Sequence, residues 1–524
     1  MSSDTSNSGI YVVEGPERGQ GIPVSGDSVT AFVGPTPRGP VDHAVPIESL
    51  EDFQKIFGAP ECHCRLEHSV RQFFANGGTN TVVVRVSGTT VRNRIHLPAA
   101  NGELVLQARN PGPLEYLRAS IDYDSIDVED ESRFNLTIQR LRSAGSAWID
   151  VQEYYRGLSV DSGSRDYVGY ILSQSDLVTQ EGSAPTARPD VTYKPTTVKQ
   201  SGYVDTLAEC SNSPPPSDYD LIGSAARGTG LSALEHIPDI GQLVLLAGSE
   251  GAPLGPVALL AADRFCRNHQ CLLIIDPPSR WQTVDDVIHD QERSGFTSPN
   301  AVTWYPGVCT RNLQGEKVWT SAAGSVAAAL IAGDHRDGVV QLHAESPIVL
   351  RGGMRLTAKI SEADVQRLAR VGINTLIQRS ALHLQLQGNV TQARYGSIYA
   401  DWNALALRQQ VLFILRRIRT GTRWTLFNES NPDTWKEISQ QINDFMVSLY
   451  DRGLIKGDSP QEAFYVKCDS DTNDGLVGHL SEVAFIVGFA VSQPGEWQAF
   501  RFLRSRDGCR INELGWKSHL ELAS

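Results

Sequence analysis

From about residue 220 the sequence alternates short apolar runs with longer amphipathic stretches, and this alternation constrains the fold more than any other feature. The apolar runs are Gln242 to Ala247, Cys271 to Asp276 and Ala301 to Tyr305, while helical spacing occupies 253–268, 281–291 and 321–332. Strands that are apolar on both faces need cover on both faces. A mostly parallel sheet between layers of helices supplies it. The chain opens in the same way, with a first strand around Thr30 to Gly34. Ser49 then caps a short helix, with Asp52 three residues on and Leu50, Phe53, Ile56 and Phe57 as its apolar side. A second helix carries Leu66, Val70, Phe73 and Phe74 and stops at Gly77-Gly78, and Thr81 to Val86 is a strand with three consecutive valines. Residues 30–90 with 220–345 therefore predict one α/β core domain.

A chain of 524 residues is too long for one core, since cores stop growing at about 250–300 residues. The remainder divides by texture. Residues 91–219 read as a β-rich, surface-exposed insertion. There Phe134, Leu136 and Ile138 alternate with polar residues as in a half-exposed strand. The stretch Asp122 to Glu131 holds six acids in ten residues, and 181–218 is rich in Pro, Ser and Thr. Residues 346–496 read as an α+β unit. It has a helix near 403–419 and a second that starts at Asn431 as N-cap and Pro432 at N1. The second helix carries Trp435, Ile438, Ile442, Phe445, Met446 and Leu449 on one side. Strands are expected at Ala463 to Cys468, Val483 to Val491 and Trp497 to Leu503, followed by a polar tail. The fold class is thus α/β and α+β multidomain.

The first 29 residues read as an extended arm, with one short strand, Ile10, Tyr11, Val12 and Val13, before a Gly/Pro-broken stretch. A strand without a hairpin partner leaves its peptide groups unpaired unless another strand receives it. The N-terminus has neither a basic region nor an apolar run and predicts no signal peptide. No stretch has the ~20 apolar residues of a membrane helix, so no membrane insertion is expected. Eight cysteines in this length predict no disulfide framework and a chain that folds in a reducing cytoplasm. The net charge of −13 opposes nucleic acid as a partner, because phosphate binding needs an excess of Lys and Arg.

Several groupings invite a chemical reading, and none carries one far. Cys62-His63-Cys64 with His68 lacks the paired spacing of a structural zinc site. Gly223 to Gly230 has glycines for a phosphate loop but no Lys-Ser/Thr ending. Asp276 stands at the end of a parallel strand, where α/β enzymes place catalytic groups, yet Pro277-Pro278 follows and no matched base is near in sequence. Asp285, Asp286, His289 and Asp290 read more simply as a charged helix face, and His335 as part of a polar loop. The expectation is a protein without catalytic residues, metal or cofactor. The alternative is an α/β nucleotide-binding protein or hydrolase using the 220–345 sheet. A third reading is a static shell or tube protein.

The order of several segments is specific. Ala31-Phe32-Val33-Gly34-Pro35-Thr36-Pro37-Arg38-Gly39-Pro40, Phe57-Gly58, Val70-Arg71-Gln72-Phe73-Phe74, Asn76-Gly77-Gly78 and Val83-Val84-Arg85-Val86 follow one another. Near the other end come Gly421-Thr422-Arg423-Trp424 with Phe427, then Ala463 to Asp469 with Thr472-Asn473. Together, over residues 9–90 and 220–505, these resemble the contractile phage tail sheath family. The block 91–215 has no counterpart in that resemblance, and the tail beyond Leu503, with Trp516, is longer than the family's usual ending.

The resemblance implies a structural subunit that polymerises with itself as stacked hexameric rings around an inner tail tube. It further implies contraction that drives the tube through a bacterial envelope, with baseplate and tail terminator proteins as partners. The place implied is a virion tail or tail-like particle, assembled in the host cytoplasm. Neighbouring subunits would share strands. Ile10 to Val13 is the implied N-arm strand, and Trp497, Phe500, Arg501, Phe502 and Leu503 the implied C-arm strand in 497–524. Phe464, Val466, Phe485 and Val487 lie on the implied receiving strands. Arg416, Arg417 and Arg419 are the candidate tube-facing residues if the tube is acidic, a solvated helix face being the plainer reading.

Overall fold

A computed structural model describes residues 21–24, 28–58, 64–88, 91–127, 129–192, 202–206, 214–248, 252–311, 317–337, 349–351, 354–380, 383–394, 397, 399–473, 482–506 and 508–518. The expected arm strand Ile10 to Val13 lies outside the described residues.

Strand–helix alternation produces a nine-stranded sheet. Its order is Val349–Leu350, Leu384–Gln387, Asn374–Gln378, Ala301–Tyr305, Leu272–Ile275, Ile240–Leu245, Val29–Gly34, Thr81–Arg85, Ala44–Ile47. The strands from Asn374–Gln378 through Thr81–Arg85 run parallel, and the outer ones pair antiparallel. Every residue of Thr81–Arg85, Ile240–Leu245 and Ala301–Tyr305 is buried. The period of two explains how. Phe32, Val83, Val244, Ile274 and Trp304 pack on one face with helices Leu50–Phe57, Arg65–Ala75 and Ala323–Asp337. Ala31, Val33, Val84, Leu243 and Leu273 pack on the other with Pro256–His269. Helices Arg65–Ala75 and Ala323–Asp337 approach closely because Gly324 lies against the Ser69 backbone, where no Cβ would fit.

The sheet corrects the expected boundary at 345. Val349–Leu350, Asn374–Gln378 and Leu384–Gln387 belong to the α/β sheet and not to the C-terminal unit. The strand–helix repeat simply continues. Helix Glu362–Arg370, capped by Ser361 and Asp364, delivers Asn374–Gln378 into parallel register with Trp304 and Tyr305.

Residues 94–205 build two antiparallel sheets around their own core. One has the order Arg94–Ala99, Gly102–Ala108, Val178–Glu181; the other Val204–Asp205, Leu117–Asp122, Arg133–Leu141, Ile149–Ser159. Phe134, Leu136 and Ile138 face that core, but Asn135, Thr137 and Gln139 on the opposite face are buried too, beneath neighbouring side chains. The strand is therefore not half-exposed. Arg38 fastens the insertion to the α/β core. Fully buried, it pairs with Asp150 at 2.8 Å and donates to the carbonyls of Leu141 (3.2 Å) and Gln54 (3.0 Å).

In the C-terminal unit, helices Leu405–Gly421 and Pro432–Asp451 pack under a four-stranded antiparallel sheet of order Phe464–Lys467, Val483–Phe489, Glu496–Ser505, Gly508–Ser518. The cap of the second helix is the one its sequence specifies, with the Asn431 side chain accepting from the Thr434 amide and Pro432 in the first turn.

Candidate subunit interface

The C-terminal sheet gathers the residues implied as donors and receivers of strands. Phe485 stands opposite Phe502 and Val487 opposite Phe500 across one strand pair. The rings of Phe485 and Phe502 stack at 4.8 Å and 11°, and those of Phe489 and Phe500 at 5.5 Å. These side chains share a core with Phe464, Val466, Ile438, Ile442, Phe445 and Leu449. Arg501 is on the other face, exposed.

Within this chain Trp497 to Leu503 is not a terminal strand. It lies inside Glu496–Ser505, which is hydrogen-bonded on one side to Val483–Phe489 and on the other to Gly508–Ser518. The expected polar tail is itself a strand and forms the outer rung of the sheet. Its signal was Asp507-Gly508, a hairpin dipeptide. Gly508 adopts φ +130°, and pairing resumes at once from Ser505 to Gly508. Further along, Leu514 is bulged out between Glu513 and Gly515, which has φ +83°.

Glu513 holds this outer strand down. Its Oε1 accepts from Trp402 Nε1 and Gln498 Nε2, both at 2.7 Å, and its other oxygen lies 3.9 Å from Arg408. Arg408 is buried, and loss of hydration pulls its pKa down to about 10, with Glu513 opposing that shift. No sequence pattern marks Glu513, because its partners come together only in the fold.

At the opposite edge, Phe464–Lys467 has a strand partner on one side only among the described residues. Beyond its end the buried side chain of Asn473 continues the ladder. Its Nδ2 donates to the Ala484 carbonyl at 2.9 Å, and its Oδ1 accepts the Ala484 amide at 2.8 Å. Asp469 Oδ1 fixes the turn by accepting from the amides of Asp471 and Thr472. Among the described residues the sheet thus has one edge at Phe464–Lys467 and the other at Gly508–Ser518. The described part of the N-terminal arm packs into the core beneath this sheet. Ile22 is buried in the same core and sits against Gly421, where a Cβ would come within 2.5 Å of Ile22 Cγ1.

The arginines expected to face a tube do not reach outward. Arg416 Nε donates to Asp239 Oδ1 at 2.8 Å, and Arg417 Nη1 to Asp239 Oδ2 at 3.1 Å; both guanidiniums are buried. Arg419 Nη1 donates to the Asn268 carbonyl at 2.9 Å. This side of the helix is turned to the chain's own α/β core, because Asp239, 177 residues away from Arg416, offers the compensating charge.

The chemical groupings disperse. Cys62 and His63 lie outside the described residues, while Cys64 caps a helix through its sulfur and His68 sits half-buried with Nε2 unpartnered. Gly223 and Gly230 have positive φ in a turn, with the Gly230 amide bound to Asp42. Asp276 pairs with Arg65 at 3.1 Å, Asp290 with Arg280, Asp285 with Arg367, and Asp286 caps a helix with Thr283. The side chain of His335 lies outside the described residues. Among the described residues no three His, Cys, Asp or Glu side chains form a metal-holding group, and no helix is long and apolar enough to cross a membrane.

No family model matches the chain, and no curated protein matches it in sequence. Solved structures do. The sheath tail protein of Listeria innocua superposes with a TM-score of 0.58 at 12% identity, covering 94% of this chain and 96% of that one. The sheath tail protein of Desulfitobacterium hafniense gives 0.54 at 11%, covering 97% and 100%. The sheath of an extracellular contractile injection system in its contracted state gives 0.52 at 14%, covering 94% and 96%. Over nearly its whole length, then, this chain has the contractile tail sheath fold.

Proposed function

We propose that the chain is the sheath subunit of a contractile tail or tail-like injection particle, with a structural and not an enzymatic role. One observation carries this reading: the likeness to sheath proteins runs through all but a few per cent of both chains. The subunit polymerises as stacked hexameric rings around an inner tube, joined to baseplate and terminator proteins, and contracts to drive the tube through a bacterial envelope. Such particles assemble in the host cytoplasm.

Strand exchange links the subunits. The arm strand Ile10 to Val13 of one copy adds to the Phe464–Lys467 edge of another. The outer strand Gly508–Ser518 leaves its own hairpin and takes the equivalent place in a neighbour, as in domain swapping. Its 11 residues reach about 35 Å when the hairpin opens, at ~3.3 Å per residue. Every contact that holds it at home, including Glu513 to Trp402 and Gln498, re-forms in the neighbour. Exchange therefore exchanges like for like in contacts, and the lattice gains connectivity.

Electron microscopy of the full chain beside a version lacking residues 1–20 and 508–524, each with and without tube and baseplate, tests the proposal. Hollow helical tubes from the full chain alone are expected. Identical single particles from both, even with tube and baseplate present, would overturn it.

A further inference from the structure

We infer that Trp402, Gln498 and Arg408 form a socket for one carboxylate, and that this socket decides which strand can take the outer place in the C-terminal sheet. The inference deepens the strand exchange proposed above, and rests on it only for the copy that supplies the strand. Three elements of the receiving side build the socket. Trp402 ends the short turn Ala400–Trp402, Arg408 lies in helix Leu405–Gly421, and Gln498 lies in Glu496–Ser505. All three are buried, Gln498 completely. Trp402 Nε1 and Gln498 Nε2 both donate to Glu513 Oε1 at 2.7 Å, and Arg408 Nη1 stands 3.9 Å from Oε2. Arg408 is held from behind. Its Nε donates to Asn300 Oδ1 at 2.8 Å, and its guanidinium lies 4.6 Å from the Trp402 ring centroid. Only Glu513 arrives with the outer strand Gly508–Ser518.

The contacts themselves select the occupant. Two N–H donors and a guanidinium converge on one position, and a carboxylate, which only accepts and carries the opposite charge, matches all three. A glutamine there would keep an oxygen for the two N–H groups but would turn its NH2 towards Arg408. An alanine would take that acceptor away from two buried donors. Glu513 is also the only acid between Gly508 and Ser518. A slip of two residues keeps the faces of the strand, and would put Ile511 or Gly515 opposite Phe500 where Glu513 stands. Neither answers the donors. One carboxylate therefore fixes the register and tells this strand from others. The partner that fits is a strand of a second copy, carrying its acid at this register.

Full-length single particles provide the test, with hydrogen exchange of the amides in 508–518 as the readout. Glu513→Gln keeps the size of a side chain that is 37% exposed, so the fold should be retained, with melting curves as the check. Exchange should quicken about fivefold or more in Glu513→Gln and further in Glu513→Ala, with helix Pro432–Asp451 unchanged. Packing alone would not tell Glu from Gln, so equal exchange in the wild-type and Glu513→Gln chains would overturn the inference. A labelled peptide of sequence 508–518 then probes the contact between copies. Its target is the full-length Glu513→Ala chain, whose socket is intact and whose own strand is loosened. The peptide should bind about fivefold or more tightly than one with Gln in place of Glu; equal binding of the two, or none, would contradict a socket that reads a second copy. Neither readout needs tubes. If both fail while tubes form, the socket falls and the sheath reading stands; if both succeed and no tubes form, the reverse holds.

Discussion

At the scale of single residues, Asp239 joins the two halves of the molecule. It holds φ +55° while its carboxylate accepts from Arg416 and Arg417. Asn keeps that backbone conformation accessible but removes the negative charge that the buried guanidiniums of Arg416 and Arg417 share. Asp239→Asn should cost about 3–5 kcal/mol, read as a lowered midpoint in urea. His68 gives a pH signature. Burial first, and then the charge of Arg71, lowers its pKa from 6.5 to about 4. The folded form therefore holds the imidazole neutral while the unfolded chain protonates it. Stability from this site is intact above about pH 6.5 and falls as pH drops towards about 4, by at most about 3 kcal/mol. His68→Leu should flatten that limb of the stability–pH curve, and an unchanged limb would assign the acid sensitivity elsewhere. Neither role was legible in the sequence. Asp239 acquires its meaning from arginines far along the chain, and His68 stood in a motif whose other members suggested metal.

At the scale of elements, the C-terminal sheet depends on a side chain that imitates a strand. Asn473→Ala would leave the buried amide of Ala484 unpaired and its carbonyl with only the Cys468 thiol, at the end of Phe464–Lys467. The expected loss is about 1–3 kcal/mol, with faster hydrogen exchange confined to the Ala484 end of Val483–Phe489. Uniform exchange across the sheet would show that Asn473 has no local role. Elements whose periodicity stood alone were legible: the strands around Thr81, Gln242 and Ala301, and the helix opened by Asn431 and Pro432. The final hairpin was not read, although Asp507-Gly508 announced it, because the residues beyond lack an apolar alternation. Cys509 and Ile511 are half-buried against the core and Leu514 is bulged. Glu513 and main-chain pairing hold this rung to its neighbour.

At the scale of the whole molecule, the architecture follows from where covered and uncovered surfaces fall. The nine-stranded sheet is covered on both faces, the insertion has its own core, and among the described residues the C-terminal sheet has a strand partner on only one side of Phe464–Lys467. Strand–helix alternation revealed the first of these but not its extent, since three of its strands come after residue 345. Which surfaces meet other copies was not legible from periodicity, because burial within a chain and burial between chains leave the same pattern. The central claim is that Gly508–Ser518 passes from one copy to another, and a cross-strand disulfide tests it most directly. Arg501 and Asn512 are paired, exposed neighbours in Glu496–Ser505 and Gly508–Ser518. With Arg501→Cys and Asn512→Cys in one chain, single particles should close the bridge within the chain. Assembled tubes should instead give a covalent ladder on a non-reducing gel, absent from either single variant. Tubes that form but contain only bridges within one chain would contradict the account.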